Sequence, residues 1–178
     1  MNPLAIIEKY YSKNSRVYAI LVEHSRSVAH KALQLANLHP ELAIDKQFVE
    51  EAAMLHDIGI FRCYAPKIDC YGEFPYICHG YLGADLLRAE GLPKHALVCE
   101  RHTGTGLSLK QIIDEKLPLP HRDMCPVSLE EKLICFADEF FSKSRLQDED
   151  SVATIRKSLK KFGSDSVKKF DEYCQLFL

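Results

Sequence analysis

Apolar residues recur at three- and four-residue steps from Val17 through Leu21, His24, Val28, Ala32 and Leu35, and that stripe is the feature that most constrains the fold. A single face of this kind buries one side of an α-helix against other helices. The same period returns in Phe48, Ala52 and Leu55 and again in the segment LEEKLICFADEFFSK at 129–143, while alternating patterns of the strand type are almost missing. Helix starts are written into the chain. Asn2-Pro3 opens a short helix to about Tyr11, Asn14 or Ser15 opens the long one, Asp45 opens the third, and Ser128-x-x-Glu131 has capping-box spacing. His39-Pro40 ends the second helix, and Gly59 reads as a left-handed stop for the third. Further helices are expected at 79–90, 93–102, 108–116, 151–162 and 164–177, with an aromatic loop between Phe61 and Tyr76. The expectation is an all-α helical bundle, one domain over 1–178 with a core at about 17–145 and C-terminal helices at 151–177. Those last two helices are amphipathic, so they pack on the core or on a second copy of the chain as a homodimer.

Charge and cysteine content narrow the function classes. Lys and Arg number 23 against 25 Asp and Glu, a net charge of -2, which gives no electrostatic footprint for nucleic acid or an anionic membrane. No apolar run approaches the ~20 residues of a membrane span, and the N-terminus lacks a signal-peptide core. Seven cysteines with no CxxC pair read as reduced thiols of a cytoplasmic protein. Cys63, Cys70 and Cys78 lack the short knuckle of a zinc site.

His56-Asp57 stands inside the apolar segment AAMLHDIGIF. Burying an unpartnered carboxylate there costs several kcal/mol, and a metal ion removes the cost by supplying the counter-charge. An imidazole and a carboxylate hydrogen-bonded to other groups would also answer the pattern. Other donors share the oddity: His24 lies on the apolar stripe, Asp138 on the inward face of its helix, His79 opens HGYLGADLL and His102 closes VCERHTGTG. Nitrogen and carboxylate donors without thiolate suit Fe, Mn, Zn or Co with open coordination positions.

The order His … His-Asp … His … His … Asp resembles the HD-domain metal-dependent phosphohydrolase superfamily, and LHDIG is similar to its HDIG-type subgroup. HGYLGA, ERHTGTG and FADEFFSK resemble the family's later segments, so the likeness covers about residues 17–145. It implies a metal held by His24, His56, Asp57 and Asp138, with Asp57 bridging to a second metal on His79 and His102. The ions would be two divalent cations, Fe or Mn first, with Zn, Co or Ni as options. The activity implied is hydrolysis of a phosphate ester or anhydride in a nucleotide-like small molecule through a metal-bridging hydroxide. A mixed-valence di-iron oxygenase on the same fold and a non-catalytic metal-bound sensor are the alternatives. Many binuclear HDIG proteins carry a lysine after the glycine, where this chain has Ile60. The missing charge has to come from elsewhere. Arg62, Lys67, Arg101, Arg122 and Lys143 are candidates, and Arg101 and Lys143 rank first as catalytic partners of Asp57 because each is near a proposed ligand in sequence. His30, His39, His95 and His121 are expected to be structural or solvated. Tyr64, Tyr71, Phe74 and Tyr76 offer a nucleobase wall or ordinary loop packing.

Overall fold

The computed structural model describes residues 1–178, the side chain of Gln147 aside. Among the described residues it holds nine α-helices: α1 (Pro3–Tyr10), α2 (Arg16–Leu38), α3 (Lys46–Leu55), α4 (His79–Ala89), α5 (Pro93–Arg101), α6 (Leu109–Asp114), α7 (Leu129–Asp138), α8 (Val152–Leu159) and α9 (Ser164–Phe177). The fold is therefore all-α. Two small antiparallel hairpins interrupt it: β1 (Tyr64–Ala65) with β2 (Cys70–Tyr71), and β3 (Phe141–Ser142) with β4 (Arg145–Glu149).

The caps do what their residue types allow. Asn2 Oδ1 accepts from the Ala5 amide at 3.3 Å, Ser15 Oγ from Tyr18 at 3.3 Å, Asp45 Oδ1 from Phe48 at 3.0 Å and Ser128 Oγ from Glu131 at 3.1 Å. Each satisfies an amide that the first helical turn leaves without a partner. The capping box differs in one arm. Glu131 reaches past Ser128 and accepts from the Val127 amide at 2.9 Å.

Two expectations fail here. Gly59 is right-handed, with φ -84°, so it is no left-handed stop. Its reason is space: a Cβ there would lie 2.2 Å from the His79 carbonyl oxygen and 2.5 Å from the Gly83 nitrogen. The helix expected through Lys143 ends at Asp138, and the chain turns into the β3–β4 hairpin, where Phe141 pairs with Glu149 and Ser142 with Arg145. Two bulky phenylalanines before Ser-Lys-Ser favour that extended turn, and the Asp150 amide closes it on the Phe140 carbonyl at 2.8 Å.

The core has two main parts. The larger unites the C-terminal half of α2 with α3, α7, α8 and α9; Phe136 of α7 meets Phe140, Phe170 and Phe177 at centroid separations of 5.1, 5.3 and 5.8 Å. The C-terminal helices thus spend their apolar face on this chain's own core. The second part joins α1, the N-terminal half of α2, the 55–70 segment and the buried faces of α4 and α5. Gly80 and Gly83 let α4 lie flat on α5, since a Cβ on either would meet the Cys99 carbonyl oxygen at 2.8 Å or the Cys99 sulfur at 2.5 Å. No helix is long and apolar enough to cross a membrane, and all seven cysteines are free thiols.

Candidate metal centre

Antiparallel helix pairs decide which donors can meet. α4 and α5 are joined by a short turn at 90–92, so the start of α4 lies beside the end of α5, and His79 meets His102. α2 and α3 pack antiparallel in the same way, bringing the N-terminal half of α2 beside the end of α3 and His24 beside His56. Three helices point their C-termini at this place: His56 follows α3, His102 follows α5, and Asp138 is the last residue of α7. Helix C-termini carry partial negative charge and favour a cation.

The result is one buried knot. His24, His56, Asp57 and Asp138 each offer a ligand atom, all within 4.8 Å of one another, and Asp57, His79 and His102 form a second such group. Asp57 belongs to both, and its two oxygens divide the work. Oδ2 lies 3.2 Å from His24 Nε2 and 3.0 Å from His56 Nε2, while Oδ1 lies 3.3 Å from His79 Nε2 and 3.4 Å from His102 Nε2. Asp138 Oδ1 closes the first group at 2.9 Å from His24 Nε2 and 3.3 Å from His56 Nε2. His24, His56, Asp57, His79 and His102 are all nearly or completely buried.

Tautomers follow from the backbone. His56 Nδ1 donates to the Ala53 carbonyl at 2.6 Å, His79 Nδ1 to Tyr76 at 2.6 Å, and His102 Nδ1 to Cys99 at 2.8 Å. A carbonyl only accepts, so each Nδ1 carries a proton, and in its neutral form each ring turns an Nε2 lone pair inward. His79 and His102 then face each other Nε2 to Nε2 at 3.0 Å. Two lone pairs at that distance repel unless something positive sits between them. The Nε2 atoms of His24 and His56, Asp57 Oδ1 and Asp138 Oδ1 lie close together yet lack hydrogen-bond partners. Converging, buried, orphaned lone pairs of imidazole and carboxylate fit a divalent cation.

The electrostatics of the metal-free chain show the same demand. Burial pushes the Asp57 and Asp138 carboxyls up, but His56 and Lys143 outweigh it and hold both well below the usual carboxylate range. Burial opposes charge on His56, and the two carboxylates overcome it, raising the ring to about 10. A proton there does the counter-charge work that a cation can take over. His79 is driven the other way, to about 3, chiefly by burial and against the pull of Asp57.

Lys143 is the cation this site owns. Its Nζ lies 2.5 Å from Asp57 Oδ2 and 6.0 Å from the centre of the Tyr76 ring, and Asp57 keeps it well above the usual lysine range despite burial. Had α7 continued, five residues beyond Asp138 would have turned Lys143 about 140° around the helix from it. Ending the helix is what returns the ammonium to the site. Arg101 is placed differently from expectation: its guanidinium pairs with Glu131 at 2.9 Å and ties α5 to the start of α7. Arg122 is committed to the buried Glu100, shared with Arg88, and Arg62 stacks over Phe74. Lys67 is exposed. Ile60 is fully buried in the apolar core, so that position could not present a lysine to the site without unpacking it.

Among the other histidines, His39 contacts Glu41, His95 packs edge-on against Phe48, and His30 and His121 are exposed. Of the aromatic loop, only Tyr76 touches the knot, stacked 4.6 Å from His79; Tyr64 and Tyr71 face solvent across β1–β2, and Phe74 packs in a small satellite core. Tyr76 as a flanking wall was legible from its place three residues before His79.

The chain is similar to known proteins over most of its length. It is 33% identical over 162 residues to an uncharacterized protein of Methanocaldococcus jannaschii, covering 89% of this chain and 85% of that one. It is 30% identical over 135 residues to a tRNA (cytidine(56)-2′-O)-methyltransferase of Picrophilus torridus, and 28% identical over 155 residues to the enzyme of that name in Thermoplasma volcanium. The alignments take in 75% and 86% of this chain but 35% and 41% of those two proteins, so the likeness spans well under half of their length. No solved structure matches. Residues 21–142 match the HD domain, a stretch that begins just before His24 and ends just after Asp138. On that match the chain belongs to the HD-domain family.

Proposed function

We propose that the chain is a metal-dependent phosphohydrolase of the HDIG type, holding two divalent ions, Fe or Mn first. One ion would be held by His24, His56, Asp57 and Asp138 and the other by Asp57, His79 and His102. The observation that carries this reading is the division of Asp57, with one carboxylate oxygen toward each group of histidines. Bound ions would supply Lewis acidity toward a phosphoryl group and an activated water. The chain's own residues do the rest. The backbone carbonyls of Ala53, Tyr76 and Cys99 hold three imidazoles as lone-pair donors. Asp57 orients both groups at once. Lys143, paired with Asp57 beside Tyr76, has further N–H donors for a phosphate oxygen, the task that Ile60 cannot perform. The substrate class is a phosphate ester or anhydride of a nucleotide-like molecule.

Metal content tests the two-ion assignment. Protein purified without chelator is expected to carry about two ions per chain, falling to about one in a His79→Ala/His102→Ala double variant. A value near one that the variant leaves unchanged would sink the six-ligand set. Turnover of a phosphoester should persist without oxygen, whereas an oxygenase would stop.

Lys143→Met is expected to lower kcat by roughly 10²–10³-fold, as loss of a charge donor at a transition state does. Arg101→Met, which breaks a pair remote from the reacting atoms, should alter kcat by less than about twofold and show its cost as stability, about 1 kcal/mol. Equal losses in the two variants would refute the assignment of the phosphate-facing cation to Lys143.

The resemblance to two tRNA methyltransferases favours a second reading, in which an RNA phosphate is the substrate. A gel-shift titration with tRNA separates the readings, since a small-molecule enzyme of net charge -2 should leave tRNA unshifted.

A further inference from the structure

Beside the metal centre lies a separate cavity of about 200 Å³, with Ile77, Leu107, Leu159 and Phe162 among its walls. It takes its position from close sequence neighbours of the residues that build the knot. Ile77 lies two residues before His79, and Thr103, which also lines it, follows His102 directly. The Thr103 hydroxyl sits over Gly80, 3.4 Å from where a Cβ would be, and so beside the start of α4. The Cys135 thiol donates to the Gly104 carbonyl at 3.0 Å, pinning the 103–106 loop to α7 one turn before Asp138. The cavity therefore flanks the His79–His102 side of the site, between the end of α5 and the α8–α9 corner.

Its lining is mostly apolar with a few placed polar groups. Thr105 is 3% exposed and brings a hydroxyl to the lining. Gln111 adds an amide with both a donor and an acceptor. Phe162 stands at the mouth, 55% exposed, with the Lys161 ammonium 4.7 Å over its ring. An apolar slot with a hydroxyl, an amide and an aromatic lid is the pattern that holds a planar heteroaromatic ring by stacking and edge hydrogen bonds. About 200 Å³ admits one such ring system and excludes two. We infer that this cavity is the specificity pocket of the enzyme, binding the base of a nucleoside monophosphate while its phosphate lies at the metal centre, with Phe162, Thr105 and Gln111 as the discriminating residues.

The inference rests on the hydrolase reading, and the experiment keeps the two apart. With metal-loaded full-length protein, kcat/KM is compared for adenosine 5′-monophosphate and glycerol 2-phosphate. Phe162→Ala, at an exposed position, and Thr105→Val, of equal size, are each expected to lower the ratio of the two at least about tenfold, the effect of losing a stacking or hydrogen-bonding partner of a base. An unchanged ratio would overturn the pocket. If neither phosphate is hydrolysed, the hydrolase reading fails and binding decides the pocket alone. Adenosine is titrated while the methyl resonances of Ile77 and Leu159 are followed. Shifts that disappear in Phe162→Ala support the assignment. No shift up to about 10 mM, where even a millimolar Kd would saturate, refutes it.

Discussion

Asp57→Asn is expected to reduce turnover by about 10⁴-fold or more and to lower metal content from about two ions per chain toward zero. The change keeps the shape of the side chain and removes its charge. Among the described residues Asp57 alone has atoms in both ligand groups, with Oδ2 near His24 and His56 and Oδ1 near His79 and His102. An amide offers one weak oxygen and turns an NH₂ group toward the other lone pairs, so at least one group loses its carboxylate. A loss of 10⁴ corresponds to ~5.5 kcal/mol of barrier, within the several kcal/mol that a metal clamp supplies to a transferring phosphoryl group. The variant also strands Lys143, whose ammonium lies 2.5 Å from Asp57 Oδ2. Elemental analysis and initial rates read both effects. A variant that keeps two ions and more than about a tenth of the activity would show that Asp57 does not bridge. Asp138→Asn, at a residue in only one ligand group, should cost one ion and leave the second in place.

How far the sequence discloses this site depends on which interactions are local. Helix caps at Asn2, Ser15, Asp45 and Ser128 bond within three residues, so the sequence displays them. The six donors were legible because polar groups on apolar stripes are anomalous wherever they occur. The Nδ1 hydrogen bonds of His56, His79 and His102 all run to the carbonyl three residues back, a local rule as well. What periodicity hides is contact at long range. Phe141 and Ser142 scan as more helix, and only their pairing with Glu149 and Arg145 makes them a hairpin. Lys143 could be ranked by its nearness to Asp138, but the turn that delivers it depends on that pairing. Arg101 had equal claim from its place beside His102, until Glu131, thirty residues away, captured its guanidinium. The pocket beneath Phe162 has no local signature, since its walls come from five separate stretches of chain.

Gly59→Ala separates close packing from backbone freedom as the reason for a glycine in this motif. At φ -84° and ψ -4° an alanine would meet no left-handed penalty. The added methyl would instead fall 2.2 Å from the His79 carbonyl oxygen, 2.5 Å from the Gly83 nitrogen and 2.9 Å from the Gly83 Cα. All three are backbone atoms, so no rotamer change relieves the contact, and α4 has to retreat by roughly an ångström. That movement carries His79 away from Asp57 Oδ1, now 3.3 Å from its Nε2. The expected cost is about 3 kcal/mol, at the upper end for overpacking, and a fall in Tm of roughly 6–12 °C for a chain of this size. Metal retention should suffer at the His79–His102 group first. Gly91→Ala is the opposite experiment: φ is +76° and a Cβ would meet nothing within 4 Å. Its cost is conformational only, about 1 kcal/mol, with metal content intact. If Gly59→Ala proves as mild as Gly91→Ala, or lowers Tm while both ions stay bound, then the approach of α4 to the 57–59 turn is not what positions His79.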